Sequence, residues 1–260
     1  GKSENKFGIP YLKAVELYAE ARRLPAVSVE GIHMHIGSQI TDLAPFRDAF
    51  RLMRDLTLEL RREGHDIRHL DIGGGLGVPY RGSNDVPPHP DEYAALVKAA
   101  LGDLGAKIYL EPGRMIAGNA GILVTRVVYV KQGAGKRFTI VDGAMNDLIR
   151  PTLYEAYHEV WPVTEGLAEE PPVLQDIVGP VCETGDYLAL ERKLAPFEAD
   201  DLVAVMTAGA YGAVMSSTYN TRPLVPEVLV NGAAYEVVRP RPTYDELIGL
   251  DRLPSWLSEA

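Results

Sequence analysis

The sequence has few of the features that mark secreted, membrane-bound or nucleic-acid-binding proteins. It contains one cysteine, Cys182, so no internal disulfide is expected, which fits a reducing cytoplasm. It has no run of about 18 apolar residues and no basic-then-apolar leader, so we expect neither a spanning helix nor a secretory signal. Acidic residues outnumber basic ones by 36 to 26, which argues against a nucleic-acid or membrane-surface partner. We therefore expect a cytoplasmic protein that acts on small molecules.

The first part of the chain is patterned as alternating helices and strands. The 260 residues are 46% hydrophobic, enough for one large core or two modest ones. Three helix–strand pairs in series predict an α/β fold with parallel strands and right-handed crossovers. The predicted helices are 11–23, 43–63 and 91–101, and the predicted strands are 27–36, 67–72 and 107–110.

The second part of the chain is patterned as alternating β runs. This change predicts a second, mostly antiparallel domain, with the division placed at residues 1–118 and 119–260. The predicted strands are 122–130, 137–141, 173–178, 202–206, 228–230 and 234–238.

Polar residues and glycines follow each of the three parallel strands. Gly73, Gly74 and Gly75 come after one strand and expose successive N–H groups, which suit a phosphate, although a tight strand-to-helix turn explains a lone glycine triplet equally well. The other two strands run into His33-Met-His-Ile-Gly-Ser38 and Glu111-Pro-Gly-Arg114. Because the carboxyl ends of parallel strands share one edge, these groups and Asp71 are expected to converge there as a functional site.

A set of motifs then identifies the family. The sequence contains HMHIGSQ, LDIGGGLG, EPGR, MNDLIRPTLY, CETGD and AGAYGAVMSSTYNTRP. Together they resemble the diaminopimelate decarboxylase branch of the alanine-racemase-like, fold-type III pyridoxal-phosphate enzymes. The resemblance implies the C-terminal portion of a (β/α)8 TIM barrel followed by the β domain, and pyridoxal 5'-phosphate as the cofactor.

The resemblance also implies roles for the residues at the strand ends. The three glycines and Ser38 would grip the cofactor phosphate with help from Tyr211, and His35 would lie against one face of the pyridine ring. Glu111 would sit beside the ring nitrogen, where a carboxylate keeps the pyridinium protonated. The same implication assigns Asp71 to orienting neighbouring cationic groups. Gly113 and Arg114 join the cofactor-binding set as part of EPGR.

Other motif residues would hold the substrate and deliver a proton. Arg114 and Arg150 suit bidentate capture of a substrate carboxylate. Tyr154 and Tyr211 would donate hydroxyl hydrogen bonds to the substrate, and the family context assigns the distal ammonium to Glu183. In the family Cys182 carries the reprotonation step, reaching the site from the partner subunit of a homodimer with shared active sites.

One requirement of this chemistry has no match in the sequence. The family places its Schiff-base lysine on the first barrel strand, in an Ala-x-Lys-Ala-Asn type stretch, and no such stretch occurs here. We therefore expect an N-terminal barrel segment from the same gene product to supply it. A separate or nicked polypeptide, a segment disordered or left out of the sequence, and a true truncation are the three explanations.

The sequence thus predicts the C-terminal part of an enzyme that converts meso-2,6-diaminopimelate to L-lysine and CO₂. The alternatives are a related decarboxylase acting on ornithine or arginine, and a non-catalytic homologue that regulates a full-length relative. No metal site is expected, although His33 and His35 lie two residues apart on one strand.

Overall fold

The computed structural model describes residues 6–82 and 86–257. The chain divides into two compact units, Gly1–Asn119 and Ala120–Ala260. Lys2 and the first residues of the chain's opening segment lie outside the described residues. Each unit has its own hydrophobic core.

The first unit is built on a three-stranded parallel sheet. Its strands are β1 (Gly31–His33), β2 (His69–Asp71) and β3 (Lys107–Tyr109), hydrogen-bonded in the order β1-β2-β3. Helices precede the strands and follow the last one. They are α1 (Ala14–Ala21), α2 (Ala44–Arg62), α3 (Pro90–Leu101) and α4 (Gly113–Ala117).

The helix boundaries follow from capping and from the spacing of apolar residues. In α2 the buried residues recur every three or four positions, as a helix packed on one side requires. The helix is followed by Gly64, whose φ is +81°, a conformation that glycine adopts without penalty. α3 begins with a capping box between His89 and Glu92. The two helices meet where the rings of Phe46 and Tyr93 pack edge to face, with centroids 5.0 Å apart.

The parallel strands are shorter than the predicted ranges. β1 covers three residues of the predicted 27–36, because its ladder with β2 runs only from Gly31 to His33. Single backbone bonds extend the contact beyond the ladder. Met34 N–H donates to Asp71 O at 2.9 Å, and Arg68 N–H donates to Glu30 O at 2.9 Å. The order and direction of the strands agree with the predicted α/β arrangement, which is confirmed.

The second unit is built on a six-stranded sheet and a separate hairpin. The strands are β4 (Leu123–Gln132), β5 (Arg137–Val141), β6 (Val160–Pro162), β7 (Val173–Val178), β8 (Tyr187–Leu194), β9 (Leu202–Val205), β10 (Glu227–Asn231) and β11 (Ala234–Arg239); the helices are α5 (Arg150–Tyr154) and α6 (Tyr244–Ile248). The sheet has the order β6-β9-β4-β5-β7-β8, and every pair is antiparallel except β5 with β7. Strands β10 and β11 form the hairpin, which turns at Gly232, whose φ is +59°.

Two strands of this sheet were not predicted. β6 is three residues long, and β8 carries Glu191, Arg192 and Lys193 in its second half, so neither shows a clear apolar alternation. The mostly antiparallel character of the unit is as predicted.

Within the described residues, no helix combines the length and the apolar composition that crossing a membrane requires.

Candidate active site

The three parallel strands bring polar side chains to one edge of the first unit. The ladder places His33, Asp71 and Tyr109 in one row, and Glu111 follows β3 by two residues. His33 Nε2 lies 3.5 Å from Glu111 Oε2. His33, Asp71 and Glu111 each present a side-chain N or O atom of a kind that can bind a metal ion, and these atoms lie within 4.8 Å of one another. The convergence expected at the strand ends is therefore present in the structure.

The three glycines are fixed by close approach of the backbone. A Cβ atom on Gly73 would lie 2.4 Å from Met34 O, and one on Gly74 would lie 2.2 Å from Glu111 O. A Cβ atom on Gly75 would lie 2.6 Å from the carbonyl oxygen of Gly37. Gly73 and Gly75 also have φ angles of +67° and +107°, where other residues are strained. Only glycine lets the three strand ends pack this closely.

The N–H groups of this loop have partners at the same edge. Gly73 N–H donates to Asp71 Oδ1 at 2.9 Å, and Gly74 N–H points to His35 Nδ1 at 3.4 Å. The contact found for Asp71 is thus to the glycine loop, and its predicted action on cationic neighbours stays a prediction.

Arg114 contacts one residue that was predicted, Ser38, and one that was not, Tyr80. Its Nε and Nη2 donate to Ser38 Oγ at 3.2 and 3.0 Å, and its Nη1 donates to Tyr80 Oη at 2.5 Å. The guanidinium also lies 5.7 Å from the centre of the Tyr80 ring. Tyr80 is buried and ends the stretch that begins with the glycines. A guanidinium and two hydroxyl groups form a donor set suited to a phosphate.

Gln39 is a second residue that the sequence analysis missed. Its side-chain amide donates to Val78 O at 2.6 Å and accepts from Val78 N–H at 3.2 Å. This pair of bonds ties the loop carrying His35 and Ser38 to the segment after the glycines. The position of Gln39 at the end of the HMHIGSQ motif could have identified it as a site residue.

In the second unit, Arg150 is buried and held by a histidine. Arg150 Nη1 lies 3.0 Å from His158 Nε2, and His158 Nδ1 lies 2.8 Å from Met206 O. These contacts assign the neutral tautomer of His158 in which Nδ1 carries the proton, because the carbonyl oxygen needs a donor at Nδ1 and the guanidinium needs an acceptor at Nε2. Tyr154, at the end of α5, is 61% exposed. The sequence analysis did not single out His158.

The other predicted residues of this unit lie on loops. Cys182 and Glu183 are exposed in the loop before β8. Tyr211 is in the left-handed region at φ +59° and is 42% exposed. The chain next to it is tight, since a Cβ atom on Gly212 would lie 2.2 Å from Ala208 O.

Comparison with known proteins gives the family. The protein-family model described as "Pyridoxal-dependent decarboxylase, C-terminal sheet domain" matches residues 17–209. The chain belongs to the pyridoxal-dependent decarboxylase family. The resemblance read from the motifs is therefore confirmed.

Individual pyridoxal-dependent decarboxylases are similar over nearly the whole chain. Diaminopimelate decarboxylase of Aquifex aeolicus (strain VF5) is 47% identical over 248 residues, which is 95% of this chain and 58% of that relative. The enzyme of the same name from Pseudomonas aeruginosa is 49% identical over 247 residues, again 95% and 58%. The crystal structure of diaminopimelate decarboxylase from Helicobacter pylori complexed with L-lysine is 38% identical with a TM-score of 0.88, covering 96% of this chain and 61% of that one. The chain thus spans about three fifths of the length of these relatives.

Proposed function

We propose that the complete protein is a pyridoxal-phosphate-dependent decarboxylase that converts meso-2,6-diaminopimelate to L-lysine and CO₂. The observation that carries the proposal is the convergence of His35, Ser38, Glu111 and Arg114 with the glycine loop at one sheet edge. The relatives named diaminopimelate decarboxylase support the choice of substrate. A cytoplasmic location stays a prediction.

The residues at this edge fit the cofactor. Ser38 and Arg114 share a hydrogen bond and would hold the phosphate together with Gly73, Gly74, Gly75 and Tyr211. His35 would lie against the ring, Gly113 would complete the loop before α4, and Glu111 would hold the proton at the ring nitrogen. When bound, pyridoxal phosphate supplies the electron sink that accepts the electron pair left as CO₂ departs.

The chain's own side chains would hold the substrate and return a proton. Arg150 and Arg114 would bind carboxylate groups, with Tyr154 and Tyr211 donating hydroxyl hydrogen bonds. Glu183 would bind the distal ammonium. The thiol of Cys182 would deliver its proton to the carbon that has lost CO₂.

The Schiff-base lysine is proposed to lie outside these 260 residues. Among the described residues, no lysine follows the carboxyl end of β1, β2 or β3. Lys107 begins β3, and Lys136 pairs with Asp176 at 2.7 Å. Reduction of the complete protein with borohydride in the presence of pyridoxal phosphate, followed by mass spectrometry, identifies the lysine. An adduct on any lysine of these 260 residues would contradict this assignment, and no adduct would favour a non-catalytic homologue.

The substrate class is tested by competition. Diaminopimelate has a distal carboxylate that ornithine and arginine lack, so we expect it to be decarboxylated preferentially. Arg150→Gln is expected to reduce this preference, because it removes the charge proposed to bind that carboxylate. Preferential turnover of ornithine or arginine by the unaltered protein would select the alternative decarboxylases.

We also propose a homodimer in which Cys182 and Glu183 of one subunit serve the site of the other. Their exposure on a loop supports this. Co-expression of Cys182→Ala with Arg114→Ala subunits would then assemble one intact site per mixed dimer, and activity absent from each variant alone would return. No recovery in verified mixed dimers would contradict shared sites.

A further inference from the structure

One buried carboxylate connects two motifs of the second unit. Asp186 is 4% exposed. Its Oδ1 accepts the N–H of Met145 at 2.7 Å, and its Oδ2 accepts the N–H of Val181 at 2.6 Å. Met145 begins the segment that leads to Arg150, and Val181 precedes Cys182. A single side chain therefore ties the arginine segment to the cysteine loop.

The loop around Asp186 is folded onto that same residue. Gly179 N–H donates to Asp186 O at 3.1 Å, and Asp186 N–H donates to Glu183 O at 3.0 Å. A Cβ atom on Gly179 would lie 2.4 Å from Asp186 Oδ2, so the carboxylate fits only beside a glycine. The backbone segment that carries Cys182 and Glu183 is thus held by hydrogen bonds between Asp186 and each of Gly179, Val181 and Glu183.

Two further contacts join the loop to α5. Thr152 Oγ1 donates a hydrogen bond to Gly185 O. Tyr187 Oη donates to Pro151 O at 3.3 Å. The residues contacted follow Arg150 by one and two positions, so the start of α5 is joined to Gly185 in the loop and to Tyr187 at the start of β8.

The position of Asp186 is costly for a carboxylate. Burial raises its pKa, and the N–H groups of Met145 and Val181 act in the opposite direction. Hydrogen bonds from N–H groups to an ionised oxygen are about twice as strong as those between neutral groups. The two bonds therefore fix the segment at Met145 and the segment at Val181 relative to each other.

We propose that Asp186 is a positioning residue that fixes Cys182 and Glu183 relative to the segment bearing Arg150. It acts through the backbone of Val181 and Met145 and touches none of the proposed reacting groups. This inference rests on the proposed function, which assigns proton delivery to Cys182 and substrate binding to Glu183 and Arg150.

The test compares two buried aspartates in the complete enzyme. Asp186→Asn keeps one oxygen and replaces the other with an N–H donor, which opposes the N–H of Met145 or Val181. Asp176→Asn is the matched control: Asp176 is 2% exposed and accepts from Glu191 N–H at 2.7 Å and Lys136 Nζ at 2.7 Å, away from both motifs. We expect kcat to fall roughly tenfold or more in Asp186→Asn, since small misplacements of a reacting group cost that much, and to change less than about twofold in the control.

Hydrogen–deuterium exchange gives a second readout that does not depend on turnover. Peptides containing Met145 and Val181 should exchange faster in Asp186→Asn and at the original rate in Asp176→Asn. Unchanged exchange at both amides, or unchanged kcat and KM in Asp186→Asn, would overturn the proposal. If Asp186→Asn does not fold, Asp186→Glu, which keeps both acceptor oxygens on a side chain longer by one methylene, decides instead: faster exchange at Met145 and Val181 with a lowered kcat supports the proposal, and unchanged exchange or unchanged kcat overturns it.

Failure of the proposed function and failure of the role of Asp186 give different results. An unaltered protein that does not decarboxylate diaminopimelate contradicts the proposed function, whereas the exchange rates still decide whether Asp186 holds the two segments. An active enzyme with a fully active Asp186→Asn variant contradicts only the role of Asp186.

Discussion

Substitution of Gly74 by alanine tests whether backbone packing explains the glycine loop. The added Cβ would lie 2.2 Å from Glu111 O, about 1 Å closer than nonbonded atoms approach without a shift. The obstacle is backbone, so it cannot rotate away as a flexible side chain would. We expect a loss near the upper end of the overpacking range, about 3 kcal/mol, and therefore a lower Tm.

The matched control is Gly102→Ala. Gly102 has φ −65° and ψ −26°, no atom within 4 Å of its Cβ position, and a conformation that alanine adopts freely. A gain of about 0.4–1 kcal/mol is expected there. Thermal unfolding of the complete protein measures both changes, and a fluorescence titration with pyridoxal phosphate shows whether displaced Glu111 weakens binding in Gly74→Ala alone. Equal stabilities for the two variants would refute the packing argument.

Three other predictions concern single side chains. Burial raises the pKa of Tyr93 from 10.0 to about 12. The contribution of the protonated phenol to stability is therefore complete below pH 10 and is lost as the pH rises through 12, by about 3 kcal/mol. In urea unfolding, Tyr93→Phe should lack this alkaline loss of stability, and an identical loss in the variant would contradict the prediction. Tyr80→Phe removes a bond to the charged Arg114 and should weaken cofactor binding roughly tenfold by titration, whereas unchanged affinity would exclude that role. His158→Leu removes the imidazole acceptor from Arg150 and should raise KM for diaminopimelate more than His158→Gln, and equal KM values would count against positioning by the imidazole.

Much of the fold could be predicted because apolar spacing is strong in its longer elements. α2 spans 44–62 against a predicted 43–63, since its buried residues repeat at helical intervals over five turns. β1 was predicted too long, because β-branched residues mark extended chain whether or not a partner strand accompanies it. β8 was missed because its partner β7, and not its own pattern, determines it.

The candidate site was predictable where motifs carry the chemistry and less so where packing does. Ser38 and Arg114 were both predicted, and they are in contact. Tyr80 and His158 were missed, because a tyrosine or a histidine outside a motif gives no sign of its partner. The glycine loop was interpreted as a set of exposed donors, whereas the approach of Met34 and Glu111 carbonyls is visible only in three dimensions.

Product analysis of the complete protein tests the proposed decarboxylation itself. The protein is incubated with pyridoxal phosphate and meso-diaminopimelate, and L-lysine and CO₂ are measured together. We expect equal amounts of the two products, with formation strongly reduced in Cys182→Ala. No lysine from the unaltered, cofactor-loaded protein would rule out the proposed reaction, and undiminished lysine from Cys182→Ala would rule out the role of the thiol.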